Sequence, residues 1–185
     1  MHSHSSEPSL WVSRFAHLVR ASGSVLDVAC GSGRHARFFA NRGCQVTAVD
    51  RDAALVAGLS GVERVVPVTS DLENAPWPFA EQQFDAIVVV NYLHRPLWRH
   101  LTGALASDGV LLYETFAVGN EAFGKPSSPR FLLTPAELVD VFAPVLTIVA
   151  FEQGEVALGE RHAVVQRVAA VGPGRTWPPC LQDAT

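Results

Sequence analysis

Apolar and polar positions along this chain follow two rhythms. Short, nearly continuous apolar runs recur at Ser24–Ala29, Gln45–Val49, Arg64–Val68, Phe84–Val90 and Val110–Thr115. Between them lie stretches whose apolar positions fall three and four residues apart, the spacing of one helix face. In Arg34–Arg42 that face is Ala36, Phe39 and Ala40, and Gly43 suits the end of the helix. Asp52–Leu59 is a shorter, alanine-rich helix, and after Pro96 the apolar positions Leu97, Leu101 and Leu105 recur every four residues. Ahead of the first run, Leu10–Arg20 gathers Trp11, Phe15, Leu18 and Val19 on one side and is expected to pack across the sheet or across the mouth of a ligand site. FDAIVVV at Phe84–Val90 reads as a strand buried on both faces, whereas Pro67 confines Arg64–Val68 to a sheet margin. Asp108-Gly109 is expected to turn the chain into Val110–Thr115. The alternation predicts an α/β protein with a largely parallel sheet.

The last third is different. Phe116–Leu133 reads as a loop, and a loop of that length in so small a domain is functional or mobile. Thr134-Pro135-Ala136-Glu137 has the form of a capping box with proline at the first helical position, opening a helix to about Phe142. Val145–Phe151 and Arg161–Val168 predict an antiparallel hairpin around Gly154–Glu160. One domain over 9–168 is therefore expected, with a disordered tail at 1–8 and an irregular one at 169–185.

Composition narrows the classes. The chain has 185 residues, 48% of them hydrophobic and 17% charged, enough for one domain with a substantial core. A net charge of −4 gives no general attraction to nucleic acid or anionic lipid. Cys30, Cys44 and Cys180 are odd in number and lack a C-x-x-C pair, so they read as reduced thiols of a cytoplasmic protein, with neither a disulfide frame nor a metal site. No stretch is apolar enough to span a bilayer, and the N-terminus does not read as a signal peptide.

The candidate chemistry gathers between Ser24 and Asp50. A strand carrying Asp27 leads into a turn with Gly31 and Gly33, then a helix, then a second strand ending on Asp50. The glycines let the backbone turn sharply and a ligand approach without meeting a Cβ. The helix start offers free N–H groups to an anion, and Asp50 can accept from both hydroxyls of a ribose. Gly31-x-Gly33-x-x-Ala36 also fits a dinucleotide fingerprint loosely. An acid inside the first strand argues against it, because Asp27 would repel a pyrophosphate. An ammonium would account for Asp27, so the ligand implied has a ribose, an ammonium and a carboxylate, but no diphosphate.

LDVACGSGR resembles the first motif of the class I S-adenosylmethionine-dependent methyltransferases, with Ala29 where glycine is commoner. The resemblance runs over roughly residues 10–168. It implies a Rossmann-like three-layer sandwich whose seven-stranded, mostly parallel sheet ends in an antiparallel hairpin strand, and S-adenosyl-L-methionine as the cofactor. Asp27, Ala29, Gly31 and Gly33 would hold its methionine end, Asp50 its ribose with Arg51 alongside, and Asp71 and Leu72 its adenine. For Asp71 the alternative is an Asx turn. Arg34 either pairs with the cofactor carboxylate or is a solvated helix charge. GRHARFFANRG and the absence of insertions are similar to small-molecule methyltransferases, including the tellurite-resistance type, from which His35 departs.

In an open parallel sheet ligands bind beyond the carboxyl ends of the strands, and the polar residues above fall at those ends. Asn91, following the fourth strand, would meet the transferable methyl group, and it and His94 are the catalytic candidates. His94 is either a general base or a cap of the next helix. On the acceptor side stand Arg95, Glu114, Phe116 and Arg130, with Arg130 or Lys125 as the expected partner of Glu114. The expected activity is methyl transfer to a small-molecule acceptor through oxygen, sulfur or a metalloid, by a monomer or homodimer without nucleic acid or membrane partners. The alternatives are an RNA or protein methyltransferase of the same fold, and an NAD-dependent oxidoreductase.

Overall fold

A computed structural model describes residues 7–158 and 161–181. Seven strands form one sheet in the order β3-β2-β1-β4-β5-β7-β6. They are β1 (Ser24–Val28), β2 (Gln45–Asp50), β3 (Val65–Thr69), β4 (Phe84–Val90), β5 (Leu105–Phe116), β6 (Thr147–Leu158) and β7 (Arg161–Val171). β1 to β5 pair in parallel, and β7 joins β5 and β6 antiparallel. The Rossmann-like sandwich expected from the sequence is the fold. β4 spans the residues anticipated for it, is central, and pairs on both sides, while proline-bearing β3 lies at the margin.

Among the described residues five α-helices cover the faces: α1 (Leu10–Phe15), α2 (Arg34–Asn41), α3 (Ala53–Ala57), α4 (Trp98–Ala104) and α5 (Glu137–Phe142). Strand residues of alternating parity feed two cores. Trp11, Phe15, Ala36 and Phe39 pack with Val25, Val46, Val88 and Leu112 on one face. On the other, Leu97, Leu101, Leu138 and Phe142 pack with Leu26, Ile87, Leu111 and Tyr113. Trp11 also ties α1 across the sheet, its Nε1 donating to the Val168 carbonyl at 3.2 Å.

The structure differs from the sequence expectations where tertiary contacts override local signals. The first helix ends at Phe15 and continues only as a 3₁₀ turn over Ala16–Leu18. Leu105 opens β5 instead of continuing the helix, and Asp108-Gly109 lies inside a bulge, since β5 pairs Leu105 with Phe84 and next Val110 with Ala86. The chain after β7 binds that bulge: the Gly172 and Gly174 amides donate to the Gly109 and Ser107 carbonyls at 2.9 and 2.7 Å. β7 thus runs to Val171, three residues beyond the expected domain end at 168, and Arg175 ties the following segment to Leu18 and Asp108. The capping box is only half formed. Thr134 N–H and its hydroxyl both donate to Glu137 Oε2, but Ala136 is left-handed at φ +62° and the helix begins at Glu137, so Pro135 is not its first residue. Gln153 and Gln166, reaching from β6 and β7, accept from the Ala136 and Leu138 amides instead. Residues 1–6 of the expected disordered tail and 182–185 of the irregular one lie outside the described residues.

Candidate functional site

At the carboxyl end of β1 the chain makes three left-handed residues in quick succession, Ala29, Gly31 and Gly33, at φ +53°, +55° and +78°. The two glycines do different work. A Cβ on Gly33 would overlap the side chain of Leu59, which is itself fully buried, so this glycine lets α2 close against the core. A Cβ on Gly31 would meet nothing within 4 Å, so the backbone there faces open space in which a ligand can lie. Ala29 holds its left-handed conformation at a cost of roughly 1–2 kcal/mol.

The two acids brace this turn. Asp27 is 1% exposed, and its Oδ2 accepts from the Ala36 amide in the first turn of α2 at 2.9 Å. Burial pushes its pKa up to about 7; the Ala36 hydrogen bond and the Arg34 charge oppose this, and the Asp50 charge adds to it. Its Oδ1 faces His35 Nδ1 at 4.0 Å. Burial, helped by Arg34, drives His35 down to about 3, so the imidazole is neutral and this contact is not an ion pair. The ring nitrogen Nε2 accepts from the Ser9 amide at 3.2 Å, and Arg34 reaches the Glu7 carbonyl at 3.4 Å. Asp50 accepts from the Gly31 amide on Oδ2 (2.8 Å) and from the Asp52 amide on Oδ1 (2.9 Å). Each carboxylate oxygen has a second lone pair, so a ribose diol can be accepted without dismantling the turn. Arg51 beside it is exposed.

Beyond β3, Asp71 forms the Asx turn. Its Oδ1 accepts from the Glu73 and Asn74 amides at 3.0 and 3.3 Å, and its Oδ2 from Asn74 Nδ2 at 2.9 Å, bonds that hold the carboxyl below its ordinary range. Leu72 is buried in the second core. Asn91 follows β4 in a left-handed conformation, φ +59°, its amide donating to the Glu114 carbonyl at 2.9 Å. It opens a cavity of about 270 Å³ bounded by Glu73, Tyr92, Leu93, Thr115, Phe116, Pro126 and Phe131. Two of these, Pro126 and Phe131, come from the long loop, whose base is closed by Val118 and Leu133 amide bonds across its ends.

A match to the family model described as "Methyltransferase domain" covers residues 25–108, the stretch from the acid–glycine turn into the β5 bulge. Residues 25–108 match a methyltransferase domain. Among solved structures, TehB from Haemophilus influenzae superposes with a TM-score of 0.72 at 18% identity, covering 85% of this chain and 60% of that one. This chain therefore spans less than two thirds of the Haemophilus protein. A TehB-like SAM-dependent methyltransferase from Corynebacterium glutamicum gives 0.64 at 18% identity, covering 90% and 88%. The 1,6-didemethyltoxoflavin-N1-methyltransferase of Burkholderia thailandensis, solved with S-adenosylhomocysteine, gives 0.64 at 21%, covering 92% and 79%. At these identities the likeness is one of fold. Comparison with curated proteins finds no match.

Within residues 25–108 and the strands that follow, two acceptor-side expectations are corrected. Arg95 does not face the cavity: its guanidinium pairs with Glu137 (Nε–Oε1 2.5 Å, Nη2–Oε2 2.9 Å) and donates to the Arg130 and Leu132 carbonyls at 3.1 and 3.0 Å. It fastens the long loop and α5 to the end of β4. Glu114 is partnered by neither Arg130 nor Lys125. It lies opposite Arg167 on β7, with Nε 2.7 Å from Oε2, and the pair continues through Glu152 to Arg14. Strand alternation puts Glu114 on the α1 side with Leu112, and it does not line the cavity. His94 occupies the N-cap position of the 3₁₀ turn at Arg95–Leu97, where its carbonyl accepts from the Leu97 amide at 3.0 Å, but its side chain makes no cap bond; its Nδ1 lies 3.9 Å from Glu73 Oε2. Arg130 is 72% exposed at the loop tip, its Nη2 4.0 Å from the same carboxylate.

Phe116 does line the cavity, as does Asn91. Sequence reasoning missed Glu73, Tyr92 and Leu93, whereas Thr115 lies in the strand end, and Pro126 and Phe131 in the long loop, that it had already marked. Tyr92 sits in the run after β4 that was already under suspicion, so proximity to Asn91 was its one signal. Glu73 carried none, for an acid four residues past a strand end is ordinary loop chemistry. Among the described residues no group of three or more His, Cys, Asp or Glu is placed to hold a metal ion, and no helix is long and apolar enough to cross a membrane.

Proposed function

We propose that this chain transfers a methyl group from S-adenosyl-L-methionine to a small-molecule acceptor. The observation that carries the reading is the open space over Gly31, flanked by the buried Asp27 and by Asp50, and adjoined by an aromatic cavity at the ends of β4 and β5. The donor set suits an aminoacyl nucleoside. Asp27 attracts the ammonium, Gly31 gives the chain room to pass, and Asp50 takes the ribose diol. Asp71, with one lone pair on Oδ2 beyond its Asn74 bond, takes the adenine amino group against Leu72. When bound, the sulfonium supplies an activated methyl group, and the protein's share is placement, which can be worth ~7–11 kcal/mol. Asn91 and Tyr92 stand between the two halves and orient the acceptor toward the methyl-bearing side. The reduced-thiol cysteine pattern favours a cytoplasmic setting.

The Burkholderia neighbour, whose name specifies a small heterocycle, and the compact layout support a small acceptor over RNA or protein. Calorimetry with S-adenosylhomocysteine, S-adenosylmethionine and NAD is the first test. The two sulfur nucleosides should bind and NAD should not; heat with NAD alone would select the oxidoreductase reading. Release of S-adenosylhomocysteine against a panel of small acceptors, with total RNA as the contrasting arm, then separates the acceptor classes.

A further inference from the structure

The cavity at the ends of β4 and β5 has an unusual composition for its size. Tyr92, Phe116 and Phe131 give it aromatic walls, Pro126 and Leu93 add apolar surface, and Glu73 supplies its one ionisable carboxylate. Glu73 is 24% exposed on its side chain, and among the described residues the basic groups that reach it do so at the limit of ion pairing: His94 Nδ1 at 3.9 Å and Arg130 Nη2 at 4.0 Å, Arg130 being largely in solvent. Arg95, the cation best placed by sequence to enter this cavity, is turned away and neutralised by Glu137. The electrostatics agree. After burial, the influences that raise the Tyr92 hydroxyl pKa are the charges of Glu73, Asp71 and Asp50, opposed by Arg51. A partly buried carboxylate in a cavity with aromatic walls favours a cation, through direct charge and through the negative faces of the rings.

From this geometry we propose that the acceptor is an arylalkyl amine, an aromatic ring carrying an aliphatic amino group, bound as its ammonium form, with Glu73 as the residue that selects its charge. This rests on the methyl-transfer reading above and names the substrate class of the same site. Glu73 holds the ammonium nitrogen at the cavity end nearest Asn91, and the ring lies between Phe116 and Phe131. The ammonium gives its proton to water before reacting. The nitrogen lone pair then forms the C–N bond as the C–S bond breaks, its electron pair staying on sulfur.

The test uses three probes with one ring and three charges, benzylamine, benzyl alcohol and benzoate, titrated into the full chain saturated with S-adenosylhomocysteine and followed by NMR. Benzylammonium should bind at least fivefold tighter than benzyl alcohol, with benzoate weakest. Glu73→Gln should weaken benzylammonium about tenfold and leave benzyl alcohol within twofold. Phe131→Ala should weaken the amine and the alcohol alike, as loss of a wall requires. An unchanged order in Glu73→Gln, or benzoate as the tightest probe through Arg130, overturns the proposal. So does a Glu73→Gln variant that loses S-adenosylmethionine but not S-adenosylhomocysteine while keeping its probe order, because the carboxylate would then serve the sulfonium. Failure of S-adenosylhomocysteine to bind at all sinks the methyl-transfer reading itself, a result distinct from each of these.

Discussion

Around β1 and β2 the rim of the sheet is made by one continuous stretch of chain, Asp27 to Asp52, whereas around β4 and β5 it is assembled from segments at Glu73, Asn91–Leu93, Thr115–Phe116, Pro126 and Phe131. The first is locked by its own backbone: Asp27 to the Ala36 amide, Asp50 to the Gly31 and Asp52 amides. The second is fastened from outside, by Arg95 and Glu137 below the loop and by Asn120 within it, which donates to the Pro126 carbonyl and accepts from the Val164 amide. A locally braced site can be rigid before any ligand arrives. A site clipped together from distant pieces changes shape whenever one clip changes, which suits the half of an enzyme where substrates differ among relatives.

The two glycines separate packing from binding within the first region. Gly33→Ala puts a methyl into the buried Leu59 side chain at a left-handed position. Overpacking at ~1–3 kcal/mol and the conformational penalty at ~1–2 kcal/mol together predict a loss of about 2–5 kcal/mol, read as a large fall in Tm. Gly31→Ala carries only the conformational part, about 1–2 kcal/mol, yet should weaken S-adenosylhomocysteine more than tenfold because the methyl enters the ligand's space. If both variants lost stability equally and bound normally when folded, Gly31 would be a turn residue and nothing more.

Arg95→Ala probes the clip of the second region. The pair with Glu137 is about a third exposed on the arginine side, so its loss is discounted to roughly 1–2 kcal/mol. The sharper readout is local: amide exchange should accelerate over residues 117–133 and KM for the acceptor should rise, with S-adenosylhomocysteine affinity unchanged. Lost cofactor affinity with normal loop protection would mean that Arg95 serves the first region. Asp50→Ala is the reciprocal experiment. It should cost more than tenfold in cofactor affinity and leave loop exchange alone; unchanged affinity would remove Asp50 from the ribose site.

The same contrast governs what could be read from the sequence. The order strand, glycine turn, helix, strand, acid is contiguous, and its periodicities match the elements β1, α2 and β2 almost residue for residue. The margin position of β3 followed from Pro67 by itself. At the other half, legibility fails in specific ways. Arg95 and Glu114 were rightly noticed as charged residues at strand ends, but a sequence does not say which face a side chain takes or that Glu137 and Arg167 lie within reach. The box at Thr134 misled because Gln153 and Gln166, coming from strands later in the chain, satisfy the helix amides first. The bulge at Asp108-Gly109 looked like a turn because the segment that pairs with it, Gly172–Gly174, is more than sixty residues away.

The smallest effect concerns Asp27, and its sign is informative. Its folded pKa, about 7, lies above the ordinary 3.8, so the ligand-free fold binds the proton more tightly than the unfolded chain does. The contribution of this group to stability is therefore full below pH 4 and declines as pH rises to about 7. Affinity for a ligand bearing an ammonium runs the other way. Only the carboxylate attracts it, so below pH 7 a proton must leave first and affinity should fall toward one decade per unit, about fivefold to tenfold between pH 8 and pH 6. Asp27→Asn keeps an oxygen to accept from the Ala36 amide, so the fold should survive, with the pH dependence of both quantities flattened. Calorimetry at pH 6, 7 and 8 would also register the proton released on binding by the native chain and not by the variant. Affinity and stability that were instead both flat between pH 6 and pH 8 would mean that Asp27 is already ionised in the ligand-free turn, and that the first region is held by charge where the structure shows it held by a shared amide.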